Sequence, residues 1–367
     1  MLYRIEAEDK KPAYLQLYEA LRLDITNGAW ANGDRLPSKR LIAEEAGVSV
    51  ITTQHALEML CQEGYLTARE RSGYFAAYRP DDGFFHAVEK TAPRPPRAPG
   101  GQDGAEGFPF SVLARHMRRV LADRGEQILE KTLGSGCPEL REALAAYLAR
   151  SRRMEVSPEQ IIVGAGAEYL YGLLVTLLGR DRVFAAEKPS YEKIAQVYRA
   201  NDVSLRLLPL GTEGILSAAL WQTDATVLHI TPYRSYPSGV TASASKRREY
   251  LAWAREKDRF LIEDDFSSEF SVSRKPEDTV FSQREKDNVL YVNTFSQTIA
   301  PALRAGYLAL PAGLLPAFRE KAGFYSCAVP AFEQYVLAEL LNSGDFERHI
   351  NRVRRKRRRE MSGEREG

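Results

Sequence analysis

The sequence predicts an α/β protein with a mainly parallel sheet, preceded by a separate small helical domain. Three observations lead to this prediction. The chain has 367 residues, which is too long for one ordinary core. A stretch dense in proline and glycine, residues 79–107, reads as a linker. Beyond it, short apolar segments alternate with helical ones, as in parallel strands joined by helices.

The composition is that of an ordinary globular protein, with 44% hydrophobic and 27% charged residues. The longest apolar runs are interrupted well before they could span a bilayer, and the first eleven residues lack the apolar core of a secretory signal. The cysteines Cys61, Cys137 and Cys327 are odd in number and widely spaced. We therefore expect a cytoplasmic protein without a disulfide framework, a metal site or a membrane span.

Residues 1–78 form the first predicted domain. Apolar residues repeat with helical spacing over residues 13–27, and two further helices follow, capped by Ser38 and Ser49. Two strand-like segments, YLTARE and GYFAAY, complete the domain. This order fits a winged helix-turn-helix, whose second helix enters the major groove of DNA. A small helical domain for protein contacts fits the same spacing.

The same region resembles the GntR-type DNA-binding domain over nearly its whole length. The pieces that carry the resemblance are YLQ, GAWANGDRLPSKR, AEEAGVS and EGYL followed by a basic wing. This resemblance favours DNA binding over the alternative. It implies that Arg35, Ser38 and Arg40 contact phosphates. Thr52, Thr53 and Gln54 would lie on the DNA-facing side of the second helix, and Arg69 and Arg71 in the wing.

One departure from the GntR pattern concerns base recognition. Val50 follows GVS, where the family usually has arginine. An apolar side chain cannot make the bidentate contact to guanine that arginine makes, so either the operator differs there or binding is weaker. Residues 1–80 carry ten Lys/Arg against eleven Asp/Glu, a net charge of −1. Any DNA binding therefore depends on where the charges are placed rather than on their sum.

Residues 108–367 form the second predicted domain. Polar residues follow three of its apolar segments: 164–168 after QIIV, 264–265 after FLIE, and 294–297 after LYVN. Ligands of parallel α/β sheets bind at the carboxyl ends of strands. We therefore expect a site where these three segments end.

These positions belong to motifs that resemble the large domain of fold-type I aminotransferases, which bind pyridoxal phosphate (PLP). The motifs include GSGCPELREALAAYLARSR, IIVGAGAEYLYGLL, EKPSYEKI, FLIEDDFSSEF and NTFSQTIAPALRAGYLALP. Joined to a GntR-type head, the chain resembles the MocR-type regulators. The resemblance implies that Asp264 pairs with the pyridine nitrogen and that Tyr191 stacks on the ring. It implies a phosphate cup made of Gly166, Ala167, Thr294, Ser296 and Arg304. A structural ion pair for Arg304 and a buried core position for Tyr191 are the alternatives.

Three departures from the aminotransferase pattern point away from catalysis. Gln297 stands where the family has the lysine that forms an imine with PLP, and a carboxamide can neither form that imine nor shuttle protons. Phe266 replaces a tyrosine that hydrogen-bonds the ring hydroxyl. Glu168 replaces a neutral glutamine and places an anion beside the expected phosphate. We therefore expect no catalytic residue, and PLP held without a covalent bond at best.

The segment RVRRKRRRE, residues 352–360, resembles the helix that leads into the small C-terminal domain of this fold. SGEREG follows it, so we expect the aminotransferase-like domain to be truncated. Seven of residues 352–359 are Lys or Arg. A nucleic-acid-binding tail is one interpretation of this run, and the solvated face of a linking helix is the other.

Three hypotheses follow for the function. The first is a transcriptional regulator that binds a double-stranded DNA operator as a homodimer and responds to a small-molecule effector through a degenerate aminotransferase-like domain. The second is a PLP-dependent aminotransferase with an appended DNA-binding head. The third is a truncated, decaying gene product whose head still binds DNA. An intact DNA-binding pattern beside an altered catalytic one favours the first.

Overall fold

The computed structural model describes residues 3, 5–6, 11–79, 107–256, 258–266, 268–271 and 278–362. Its contacts divide the chain into two compact units, residues 1–98 and 99–367. The proline- and glycine-rich stretch falls almost entirely outside the described residues, so the linker stays a prediction.

The first unit packs three helices against one another and ends in a two-stranded antiparallel hairpin. Its elements are α1 (Ala13–Thr26), α2 (Lys39–Ala46), α3 (Val50–Gln62), β1 (Leu66–Arg69) and β2 (Gly73–Ala76). Ser38 and Ser49 cap α2 and α3 with their hydroxyl groups, each accepting a backbone N–H from the first turn. These helices and this hairpin agree with the sequence patterns.

The second unit is built on an eight-stranded mixed sheet. Its strands are β3 (Ile161–Gly164), β4 (Val183–Lys188), β5 (Ser204–Gly211), β6 (Gly214–Ile215), β7 (Val227–Ile230), β8 (Phe260–Asp264), β9 (Val289–Thr294) and β10 (Gly306–Ala309). Their order in the sheet is β3-β10-β9-β8-β7-β4-β5-β6. The five strands from β9 to β5 run parallel, whereas β10 is antiparallel to both of its neighbours and β6 to β5. The α/β prediction with a mainly parallel sheet is therefore confirmed.

Helices cover both faces of this sheet. They are α4 (Phe110–Arg124), α5 (Pro138–Arg152), α6 (Ala167–Leu178), α7 (Glu192–Ala200), α8 (Ser217–Gln222), α9 (Ala244–Ala254), α10 (Leu315–Lys321), α11 (Ala331–Asn342) and α12 (Asp345–Ser362). Successive residues of β8 point to opposite layers: Leu261 packs with α5, α9 and α11, and Ile262 packs with α6, α7 and α10. None of the described helices is both long and apolar enough to cross a membrane.

Candidate functional site

The predicted ligand positions of the second unit lie at neighbouring strand ends. Gly306 of β10 pairs with Gly164 of β3 on one side and with Thr294 of β9 on the other. Asp264, the last residue of β8, pairs with Val292 of β9. The segments that follow β3 and β9 therefore meet the end of β8 at one edge of the sheet. This is the edge where ligands of parallel α/β sheets bind.

The carboxylate of Glu168 is held by two cations at this edge. Glu168 lies in the first turn of α6. One carboxylate oxygen accepts a hydrogen bond from Lys193 Nζ at 2.5 Å, and the other accepts one from the guanidinium of Arg304. Partial burial opposes ionisation, but hydrogen bonds from Lys193, the backbone and Arg304 lower the pKa of Glu168 to about 2. Glu168 is therefore an anion at neutral pH, and it pairs with the arginine that was predicted to contact a phosphate.

The turn before α6 is shaped for a close approach of Arg304. Gly166 has a φ of +87°, in the left-handed region that favours glycine. A Cβ atom at this position would lie 2.9 Å from a guanidinium nitrogen of Arg304, so a side chain there would displace the arginine. Arg304 forms an ion pair with Glu168, as one of its two interpretations predicted, and its contact with a phosphate stays a prediction.

Lys193, at the start of α7, is a functional candidate that sequence patterns did not single out. It lies inside the motif EKPSYEKI, 25 residues from the carboxylate that it contacts. The hydrogen bond to Glu168 raises the pKa of Lys193. A protonated amine is not a nucleophile, so this ion pair opposes any use of Lys193 as a substitute for the missing imine-forming lysine.

Asp264 lies in a buried chain of hydrogen bonds. Its carboxylate accepts from the hydroxyl of Tyr171 and lies 3.3 Å from Nε2 of His229. The hydroxyl of Tyr198 lies 2.7 Å from Nδ1 of the same imidazole. Burial and the charge of Asp264 raise the pKa of Tyr171 well above its usual value, so the phenol stays protonated and donates. The carboxylate predicted to face a pyridine nitrogen therefore already has protein partners, and no sequence motif indicated them.

Glu187, the next-to-last residue of β4, is a second buried carboxyl near Asp264. It accepts hydrogen bonds from the backbone N–H of Thr231 at 3.2 Å and from the hydroxyl of Ser235 at 2.6 Å. Burial, aided by the charge of Asp264 and opposed by these two hydrogen bonds, raises the pKa of Glu187 to about 7. No sequence pattern indicated this carboxyl group beyond a glutamate at the end of an apolar strand.

The other predicted ligands differ in exposure. Tyr191 is 37% exposed, and its ring meets that of Tyr236 edge-on with centroids 6.4 Å apart. The alternative that placed Tyr191 in the core is therefore wrong. Thr294 is buried at the end of β9, whereas Ser296 and Gln297 are partly exposed just after it. Ala167 is the first residue of α6, where backbone N–H groups are free of intrahelical partners.

The residue at position 297 does not fit a PLP group held through an imine. A carboxamide stands at position 297, and the guanidinium of Arg304 is already bound to Glu168. Among the described residues, no cluster of three or more His, Cys, Asp or Glu side chains could hold a metal ion. The site is instead a set of ionised and hydrogen-bonded protein groups.

In the first unit, the basic residues predicted to contact DNA are exposed. Arg35 forms an antiparallel bridge with Phe75 of β2, and the guanidinium of Arg69 lies 4.3 Å from the centroid of the Phe75 ring. Arg71 lies at the hairpin turn with a φ of +58°. Arg40 is exposed on α2, whose start is capped by Ser38. The segment before α2 and the wing therefore pack side by side.

The prediction for Thr53 is wrong. Its side chain is fully buried, and its hydroxyl group lies 3.3 Å from the carbonyl of Ser49 and donates to it. One residue along a helix turns the side chain by about 100°, so the neighbours Thr52 and Gln54 are partly exposed while Thr53 faces the core. Thr53 packs α3 into the domain and cannot reach a groove of DNA.

Comparisons with known proteins agree with this two-part architecture. Residues 103–364 match the family of aminotransferases class I and II, and residues 13–75 match the bacterial regulatory proteins of the gntR family. The chain is 31% identical over 353 residues to the uncharacterized HTH-type transcriptional regulator YdeL of Bacillus subtilis, covering 94% of this chain and 76% of YdeL. It is 28% identical over 367 residues to the probable rhizopine catabolism regulatory protein MocR of Rhizobium meliloti, covering 94% and 74%. The chain belongs to the MocR-type regulators of the GntR family.

This MocR-type chain is also 30% identical over 349 residues to the HTH-type pyridoxine biosynthesis transcriptional regulator PdxR of Corynebacterium glutamicum, covering 93% of this chain and 75% of PdxR. Its large domain is similar to solved aminotransferases. An archaeal alanine:glyoxylate aminotransferase matches with a TM-score of 0.61 and 26% identity, over 66% of this chain and 62% of that one. LysN, an α-aminoadipate aminotransferase of Thermus thermophilus complexed with N-(5'-phosphopyridoxyl)-L-leucine, matches with a TM-score of 0.61 and 25% identity, over 69% and 65%. The MocR-type chain thus spans less than two thirds of these two enzymes.

Proposed function

We propose that this chain is a DNA-binding transcriptional regulator whose aminotransferase-like domain binds an effector and forms a homodimer without catalysing transamination. The regulator names of its relatives support the DNA-binding part. One observation carries the non-catalytic part. Position 297 is a glutamine, and the guanidinium of Arg304 forms an ion pair with the carboxylate of Glu168.

Transamination requires an amine that forms an imine and then moves protons. Gln297 supplies a neutral amide, which does neither. Lys193 is an amine next to the site, but its hydrogen bond to Glu168 keeps it protonated. The effector is therefore expected to bind through hydrogen bonds and packing rather than through a covalent bond.

A borohydride-trapping experiment tests this proposal. The purified full-length chain is mixed with PLP, and the absorbance of an imine is recorded. The mixture is then reduced with borohydride, and the labelled lysines are identified by peptide mass spectrometry. We expect labelling of Lys193 to be no greater than that of Lys131, an exposed lysine on the same domain. The Gln297→Lys variant serves as the positive control for trapping at the position expected from the fold.

A PLP-dependent aminotransferase with an appended DNA-binding head is the second candidate, and the match of residues 103–364 to the aminotransferases class I and II is the observation that favours it. Amino-group exchange between an amino acid and a keto acid would be measured for the wild-type chain and for Lys193→Met. Exchange that disappears in Lys193→Met would overturn the non-catalytic proposal and establish this candidate.

Selection of bound duplexes from a random-sequence library tests the regulator part. We expect the full-length chain to enrich a sequence with two related half-sites, because a homodimer presents two recognition helices. Sedimentation of the chain alone would show the dimer. Binding that is equal for all duplexes would contradict an operator-specific regulator.

A further inference from the structure

The first turn of α3 presents apolar surface to the solvent. Val50 and Ile51, the first two residues of this helix, are 38% and 82% exposed. Both follow the capping residue Ser49, so they occupy the end that enters the major groove in a helix-turn-helix. Exposed aliphatic groups are stabilised when an apolar surface of a partner removes them from water.

The polar side chains at this end are already engaged within the protein. The hydroxyl of Thr52 lies 2.8 Å from that of Ser49. The amide of Gln54 accepts from Lys39 at 3.2 Å and donates to Glu58 at 2.8 Å. The outward surface of the first turn is therefore mainly aliphatic.

Two further residues near this end of the helix also contact the domain. The ring of His55 stacks on that of Tyr14, with centroids 4.2 Å apart. Thr53 faces the core. Hydrogen-bonded readout of bases by Thr52 or Gln54 would compete with their hydrogen bonds inside the domain.

Thymine is the base that offers an apolar group, its 5-methyl, in the major groove. We propose that Val50 and Ile51 recognise thymine methyl groups in each half-site of the operator. This inference rests on the proposed DNA-binding function and names what α3 reads there. The exposed Arg40 on α2 and Arg69 in the wing hold the duplex by its phosphates, and the aliphatic pair supplies specificity.

Replacement of thymine by deoxyuridine tests the inference, because the two bases differ only by the methyl group. The tightest duplex selected by the full-length chain is resynthesised with deoxyuridine at one thymine at a time. We expect the dissociation constant to rise about three- to tenfold at one or two thymines of each half-site. It should stay unchanged at the other thymines.

A double-mutant cycle assigns the effect to Ile51. Ile51→Ala should weaken binding to the thymine duplex by a similar factor. Its dissociation constant should not change when deoxyuridine replaces thymine at the sensitive position. Leu23→Ala is the matched control, because Leu23 is an exposed aliphatic residue of α1, 58% exposed in the same domain. It should leave both affinities unchanged.

The outcomes separate this inference from the function on which it rests. Sequence-specific binding that is insensitive to every deoxyuridine replacement overturns the methyl readout and leaves the regulator intact. Sensitivity to deoxyuridine that persists fully in Ile51→Ala and in Val50→Ala also overturns it. A chain that binds all duplexes alike overturns both.

Discussion

The guanidinium of Arg304 donates a hydrogen bond to the carboxylate of Glu168 at the start of α6. A carboxylate that carries its own arginine and lysine is neutralised in the way that a bound phosphate would be. The second unit thus has a protein anion next to the arginine predicted to contact a phosphate. This relationship makes the site testable with simple anions.

Glu168→Gln should create an anion site. The substitution frees Arg304 and Lys193 while it keeps the size of the side chain. We expect inorganic phosphate to raise the melting temperature of Glu168→Gln by a few degrees, at about 2–4 °C for each kcal/mol of binding free energy. The wild-type chain should not respond.

Glu192→Gln is the matched control for this experiment. It removes the same charge from an exposed position next to Lys193 in the sequence. Phosphate should leave its melting temperature unchanged. An equal response of the wild-type chain and Glu168→Gln would show that Glu168 does not compete with anions.

Glu187→Gln should remove a pH dependence of stability. The pKa of Glu187 is raised from its model-compound value of 4.5 to about 7 in the folded chain, so the folded state holds a proton that the unfolded state has lost. The stabilising contribution is therefore complete below pH 4.5 and is lost as the pH rises to about 7. By linkage the loss is roughly 3 kcal/mol in the free energy of unfolding.

Urea denaturation at several pH values measures this difference. Glutamine preserves the two hydrogen bonds, because its carbonyl can accept from Thr231 and its amide can donate to the hydroxyl of Ser235. The wild-type chain should lose stability relative to Glu187→Gln as the pH rises from 4.5 to 7. Parallel pH profiles for the two proteins would mean that Glu187 is ionised in the folded state.

Arg152→Met should strongly destabilise the second unit. Arg152 is 4% exposed, and its guanidinium lies 3.3 Å from Asp265 and 3.4 Å from Glu269. Burial opposes the charge of Arg152, but the two carboxylates raise its pKa well above the usual value. Methionine fills much of the same volume but leaves two buried carboxylates without a cation, at a cost of about 3–5 kcal/mol in the free energy of unfolding.

Arg150→Met is the control for that substitution. Arg150 lies two residues earlier on α5 and pairs with Glu347 at 2.9 Å with its side chain 56% exposed. Surface ion pairs contribute about 0–1 kcal/mol, so this variant should unfold at nearly the wild-type urea concentration. Equal effects of the two substitutions would show that the buried network contributes no more than a surface pair.

Local patterns in the sequence were enough to predict the helices of the first unit and the edge of the sheet where the candidate site lies. They were not enough to predict the contacts that decide the chemistry of that site. The caps at Ser38 and Ser49 predict where α2 and α3 begin, because capping depends on neighbours within one turn. The partner of Arg304 lies 136 residues away, and that of Tyr171 lies 93 residues away. Such contacts depend on sheet order and side-chain direction, which periodicity does not encode.

Sequence patterns also mispredicted Thr53 and missed two strands. Thr53 is polar but β-branched, and its hydroxyl bonds to a backbone carbonyl, so it can face the core without losing a hydrogen bond. The strands β5 and β6 were not predicted. β5 contains Arg206 and Pro209 among its leucines and is only partly buried, so it lacks the apolar run that marked the other strands.

Arg40→Ala should weaken DNA binding uniformly across sequences. Arg40 is exposed on α2 and is predicted to contact a phosphate, and each phosphate contact releases about one counterion. We expect the slope of log K against log salt to fall in magnitude by about 1, while the ratio of affinities for the selected and random duplexes stays unchanged.

Arg22→Ala is the control for this prediction. It removes the same charge from α1, where the guanidinium lies 5.5 Å from the centroid of the Tyr18 ring. Because α1 packs against the buried side of α3, Arg22→Ala should keep the wild-type salt slope. A change of slope in Arg22→Ala but not in Arg40→Ala would place the duplex on the opposite face of the domain, away from α2 and the wing.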